Sequence, residues 1–186
     1  MNFPVWRSDR ENFGKGGTFI RVSVKNMVLC SLFAALIAVC AWISIPFLDI
    51  AFTLQTLGIF LALGLLGGKL GSRAVLLYLL LGAVGLPVFS GFQGGIGILA
   101  GVTGGYLWGF AFAGLAYRLL EHFGKLPAMI ASQLVCYFFG SLWFYLYAGG
   151  GLWLILARCV FPFLLPDGVK IALAFILSRR LARHIT

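Results

Sequence analysis

The amino-acid sequence predicts an all-α integral membrane protein of six transmembrane helices, with both termini in the cytoplasm. Three observations predict it. First, of 186 residues 61% are hydrophobic and 10% charged, and mean hydropathy is +1.03. A soluble domain carries about 25% charged residues. Five acidic residues cannot cover a water-facing globule of this size, so lipid must solvate most of the surface. Second, the apolar residues form long uninterrupted runs, such as 27–45 and 126–148. A membrane barrel would instead show alternating segments of about ten residues. Because every backbone N–H and C=O in lipid needs an internal partner, the runs are read as helices. Third, basic residues are distributed by connection.

The elements follow in order. Span one covers 27–45 and stops at Pro46. Span two, 52–66, is closed by Gly67-Gly68, and span three, 74–86, by Pro87. The glycine-rich stretch VFSGFQGGIGILAGVTGG leads to span four at 106–120. Span five is 127–147. GGGLWLILARCVFPFLLP comes next, broken by Pro162 and Pro166, with room for a short extra helix at 152–165. Span six is 167–181. Several spans fall short of the roughly 20 residues a crossing helix needs. The alternative topology therefore fuses spans two and three or makes one of them re-entrant.

Charge decides between these topologies. Cytoplasmic connections should be rich in Lys and Arg. Arg7, Arg10, Lys15, Arg21 and Lys25 precede span one; Lys69 and Arg73 lie between spans two and three; Arg118 and Lys125 lie near the 4–5 connection. Arg179, Arg180 and Arg183 follow in the tail. The connections on the other side hold Arg158 alone, and Lys170 lies inside span six. Removing either short span would break this alternation. The first apolar run is also longer than the 7–15 residues of a signal-peptide core. Residues 1–26 are therefore read as a cytoplasmic extension and 27–186 as the membrane domain.

The composition excludes several functions. The net charge of +9 comes in short clusters between apolar runs, not as one face for nucleic acid. Cys30, Cys40, Cys136 and Cys159 form no CxxC pair and lack a nearby histidine, so neither a metal nor a cofactor is expected. His122 and His184 are far apart, and HExxH, GxSxG and P-loop motifs are missing, so no enzyme with its own ATPase motif is expected.

Candidate functional residues gather on the outer side, in connections 46–51, 88–105 and 148–166. Asp167 and Lys170 stand three apart at the start of span six and share a helix face. A helix cap explains an aspartate there but not a lysine one turn deeper, and buried charges in membranes usually face a cavity. Gln55, with Thr53 and Thr56, forms a polar patch at the outer start of span two. The 88–105 connection carries Phe92 and Gln93 among seven glycines and enough apolar residues to fold onto the bundle as a lid. A GxGxxG reading of it fails because no strand precedes it. Tyr106 and Tyr147, like Trp108 and Trp153, suit an interfacial belt or an apolar pocket wall. On span one, Ala34, Ala38 and Ala41 form a stripe of small residues. Such a stripe serves close packing within the bundle or docking of another membrane subunit.

The strings FTLQTLGIFLALGLLGGKLGSRAVLLYLLLGAVGLPVFSGFQGG, GGIGILAGVTGGYLWGF and PFLLPDGVKIALAFILSRRL resemble, in order over about residues 29–181, the BioY family. These are the biotin-specific substrate-capture (S) components of energy-coupling factor (ECF) vitamin transporters. The family pattern near span six is closer to P-G-D-x-x-K. This chain, with Pro166-Asp167-Gly168-Val169-Lys170, keeps the Asp-to-Lys spacing but displaces the glycine.

The resemblance implies six helices in a bacterial cytoplasmic membrane and an outward-facing biotin pocket. It also implies a transmembrane coupling subunit, docked on Ala34 and Ala38, and two ATPase subunits. Asp167 and Lys170 become pocket residues. Being one turn apart, they are expected to grip the ureido head together, Asp167 accepting from its N–H and Lys170 donating to its C=O. Arg158 is then the candidate for the carboxylate, and Gln93 and Tyr147 for neutral bonds. An S component for riboflavin or thiamine, or a membrane scaffold without a ligand, are the alternatives.

Overall fold

The structure is a computed structural model that describes residues 23–45, 50–149 and 151–185. Pro46 and most of the expected 1–26 extension lie outside these residues. The elements are α1 (Val24–Trp42), β1 (Ser44–Ile45), β2 (Phe52–Thr53), α2 (Gln55–Ala83), α3 (Ile96–Ala100), α4 (Gly104–Leu120), α5 (Lys125–Ala148), α6 (Leu152–Cys159) and α7 (Phe161–Ile185). The two strands pair antiparallel, Ser44 opposite Thr53 and Ile45 opposite Phe52, a small hairpin that the all-α expectation did not contain.

α2 looks like one helix in its hydrogen bonding but is two. A straight helix of 29 residues would be about 43 Å long. Gly67 interrupts it with φ +78° and ψ 164°, a conformation that a residue with a Cβ rarely takes. The limbs 55–66 and 68–83 fold back on each other there. Gln55, at the start, donates from Nε2 to the hydroxyl of Tyr78 near the end, at 2.9 Å. A Cβ on Gly71 would lie 2.7 Å from Leu63 Cα, so the limbs touch closely beside the turn. Six membrane helices result: α1, the two limbs of α2, α4, α5 and α7, with the turn at Gly67 where the sequence predicted a break.

Contacts at the two ends agree with the charge alternation. At the cytoplasmic end, the Glu121 carboxylate accepts from Gly68 N–H at 2.7 Å, and Lys125 donates to the Gly64 carbonyl at 2.8 Å. The 2–3 and 4–5 connections therefore meet. Glu121 also caps the first turn of limb 68–83, where exposed amides favour negative charge. Glu121→Ala is expected to lower stability by about 1 kcal/mol, or roughly 2–4 °C in thermal unfolding in detergent. Glu121→Gln should recover part of that loss; an Ala variant melting with wild type would show that the contact contributes nothing.

The last membrane helix starts elsewhere than the sequence reading placed it. α7 begins at Phe161, six residues before the expected start of span six. Pro162 sits in its first turn, where amide donors have no helical partner anyway. Pro166 therefore disturbs only one carbonyl bond further on, and Asp167 lies inside the helix instead of capping it. α6 occupies the broken segment before α7, the short helix for which the sequence left room.

α1 packs its buried face, Cys30, Ala34, Ile37, Ala38, Cys40 and Ala41, into the bundle. Its other face, including Leu32, Leu36 and Val39, is exposed to lipid. Ala34, Ala38 and Ala41 are 1%, 5% and 0% exposed. Of the two uses that the sequence left open for this stripe, close packing within the bundle is the one this placement serves. Small residues admit close approach, and the helix approached is α2: a Cβ on Gly58 would come within 3.2 Å of Ile37 Cα and the Cys40 side chain.

Candidate functional site

At the outer end the connections fold down onto the helices. Trp42 donates from Nε1 to the Pro87 carbonyl at 2.8 Å and stacks on Phe92 with ring centroids 5.0 Å apart. The Gly95 amide reaches back to the Gly82 carbonyl at 2.7 Å. Phe89 is buried, with its ring edge-on to Tyr78. The 88–105 connection is thus a folded cap, as its apolar residues suggested.

Beneath it lies a cavity that is open at its mouth. The first connection contributes Ile50, Ala51 and Thr53; the cap contributes Phe89, Ser90, Ile98 and Thr103. Leu107, Phe110 and Phe163 add apolar wall from α4 and α7. Four of the polar lining residues are joined by hydrogen bonds, Thr56, Tyr137 and Lys170 all donating to Asp167. A largely apolar chamber with this hydrogen-bonded cluster in its wall suits a ligand that is apolar over most of its surface and has one strongly hydrogen-bonding head.

The cluster is built around Asp167, 4% exposed. Its Oδ1 accepts from Lys170 Nζ at 2.7 Å and from Thr56 Oγ1 at 3.3 Å. Its Oδ2 accepts from Gln133 Nε2 and from the Tyr137 hydroxyl, both at 2.8 Å. Helical spacing accounts for the geometry. Asp167 and Lys170 are one turn apart on α7, and Gln133 and Tyr137 one turn apart on α5, so two helix faces converge on one carboxylate. Three neutral donors beside the lysine offset much of the cost of burying this carboxylate.

The other sequence candidates divide. Gln55 and Tyr106 line the cavity; the Tyr106 hydroxyl donates to the Cys159 carbonyl and ties the wall to α6. Gln93 and Phe92 lie in the cap but are exposed, and neither is among the lining residues. Tyr147 and Arg158 are likewise exposed and away from the lining. Tyr147, Trp108 and Trp153 face outward, as belt residues do. Gln133 and Tyr137 were missed. The available signal was their spacing: two hydrogen-bonding side chains four apart in an otherwise apolar span.

The family model described as "BioY family" matches residues 14–186. The chain belongs to the BioY family. Among its BioY relatives, a protein of Pyrococcus horikoshii described as a probable biotin transporter is 39% identical over 160 residues, 86% of this chain and 98% of the relative. A biotin transporter of Rhizobium etli is 35% identical over 175 residues, 85% of this chain and 93% of the relative. The fold also matches a solved S-component for biotin from an ECF-type ABC transporter, with a TM-score of 0.77 and 28% identity, covering 86% of this chain and 92% of that one. Like these BioY proteins, the chain is a multi-pass membrane protein of a transporter family.

Proposed function

We propose that this chain captures biotin at the outer face of the cytoplasmic membrane and serves as the substrate-binding subunit of an ECF-type transporter. The observation that carries this reading is the buried Asp167–Lys170 pair in the wall of a largely apolar, outward-placed cavity. Biotin has matching chemistry: a ureido head with two N–H donors and one C=O acceptor, a thioether ring and an aliphatic tail. Lys170 keeps ammonium hydrogens beyond the one given to Asp167 and donates to the ureido carbonyl, while Asp167 accepts from a ureido N–H. The ring and tail lie along Ile98, Leu107, Phe110 and Phe163. The membrane domain 27–186 carries this activity, with 1–26 as a cytoplasmic extension. A transmembrane coupling subunit and two ATPase subunits would supply the energy.

Titration of the purified chain with biotin, riboflavin and thiamine tests the reading. Saturable binding and thermal stabilisation by biotin alone are expected. Stabilisation by another vitamin in its place, or by none of the three, would overturn it.

The tail carboxylate follows from the same geometry. Arg158 does not line the cavity, whereas Ser90 and Thr103 offer hydroxyls on its cap side. Arg158→Ala is therefore expected to change biotin affinity by less than about threefold, as for an exposed charge. A loss beyond roughly tenfold for biotin, with biotinamide unaffected, would return the carboxylate to Arg158.

A further inference from the structure

A carboxylate offers about four acceptor positions, two on each oxygen. In this structure Asp167 has all four filled: Lys170 and Thr56 on Oδ1, Gln133 and Tyr137 on Oδ2. A ligand N–H can bond to Asp167 only if one of these donors leaves. This conclusion rests on the reading that Asp167 accepts from the ligand head.

Lys170 carries the compensating charge and has the shortest contact of the four, 2.7 Å. Gln133 is buried at 5% exposure and is not among the lining residues, so a ligand does not reach it. Its amide is also committed to Asp167 while its own Oε1 stays buried without a hydrogen-bond partner among the described residues. Tyr137 lines the cavity, but its bond is short, at 2.8 Å. Thr56 both lines the cavity and makes the longest bond of the set, 3.3 Å. It also stands in the first turn of α2, where a threonine hydroxyl can rotate to local backbone at small cost.

We propose that Thr56 is a specificity-determining placeholder: its hydroxyl occupies the ligand's acceptor position on Asp167 Oδ1 in the empty site and yields it to a ureido N–H. The site thereby selects ligands whose N–H donor outbids a hydroxyl. Molecules that bring only an acceptor or an apolar end leave Thr56 in place.

The prediction runs against the usual effect of mutating a binding site. Thr56→Val keeps the shape and removes the competitor, so biotin should bind more tightly, by roughly three- to tenfold, the value of one modest hydrogen bond. Thr56→Ser keeps the hydroxyl and should bind as wild type. With biotin methylated on both ureido nitrogens, Val and Thr proteins should bind alike. Binding is measured by isothermal titration in detergent, beside thermal unfolding of each apo variant. Weaker or unchanged binding of biotin by a folded Thr56→Val protein would overturn the proposal. So would Tyr137→Phe tightening binding in its place, because Tyr137 would then be the donor that yields. Should Thr56→Val fail to fold, Thr56→Ala is the second variant, judged by its ratio of affinity for biotin to that for the methylated ligand; a ratio equal to wild type also overturns it. A wild-type protein that does not bind biotin at all is a separate outcome and refutes the functional reading instead.

Discussion

Asp167→Asn should cost this protein both stability and ligand. The substitution removes the charge that balances Lys170 and replaces one acceptor oxygen with an NH₂ group. Two donors now on the carboxylate then face a donor. Lys170, 8% exposed, keeps its charge in a setting that cannot solvate it. Breaking a buried pair from one side typically costs about 3–5 kcal/mol, far more than the pair contributes as a whole. Biotin affinity should fall by roughly 10- to 150-fold, the weight of a hydrogen bond to a charged group. Isothermal titration and thermal unfolding read the two losses separately. The double variant Asp167→Asn with Lys170→Met distinguishes their causes. Removing the stranded charge should restore much of the stability and none of the binding. Wild-type affinity in Asp167→Asn would remove the carboxylate from the site altogether.

Gly82→Ala should act on the same cavity through packing. A Cβ at Gly82 would lie 2.1 Å from Phe89 Cζ and 2.4 Å from its Cε1, so the ring must move. Phe89 is 1% exposed, and its ring meets Tyr78 edge-on with centroids 5.6 Å apart. Tyr78 in turn holds the Gln55 amide. Interiors packed to this density do not absorb a methyl group quietly. The open direction for the ring is the cavity that it already lines. A destabilisation of about 1–3 kcal/mol is expected, as for other overpacked cores. Biotin should also stabilise the variant less than it stabilises wild type. Combining Gly82→Ala with Phe89→Leu should recover part of both losses. If the single variant melts and binds like wild type, the ring is not the rigid wall described here.

The Asp167–Lys170 pair was legible in the sequence because both residues sit on one helix, where spacing alone sets their neighbourhood. Three of the groups around them were not all legible. Thr56 stood out as part of a polar patch, but nothing local linked it to a residue 111 positions away. Gln133 and Tyr137 carried a helical spacing without a stated target. The alanine stripe on α1 shows the converse. Ala34, Ala38 and Ala41 announce that something packs closely, yet a partner subunit and the chain's own α2 require the same small residues. The start of α7 was misplaced for a related reason. Prolines at 162 and 166 look like breaks in a string of letters, whereas in a first and second turn they remove little that the helix uses.

Local composition thus fixed what depends on transfer between water and lipid: that the chain spans the membrane, how many times, and in which direction. Hydropathy and positive charge act segment by segment, so they need no knowledge of neighbours. Which side of α1 faces inward, which four donors close on Asp167, and whether Arg158 reaches the cavity depend on how helices far apart in sequence come together. Those contacts are set by packing and hydrogen-bond satisfaction across the bundle, and only the tertiary structure decides them.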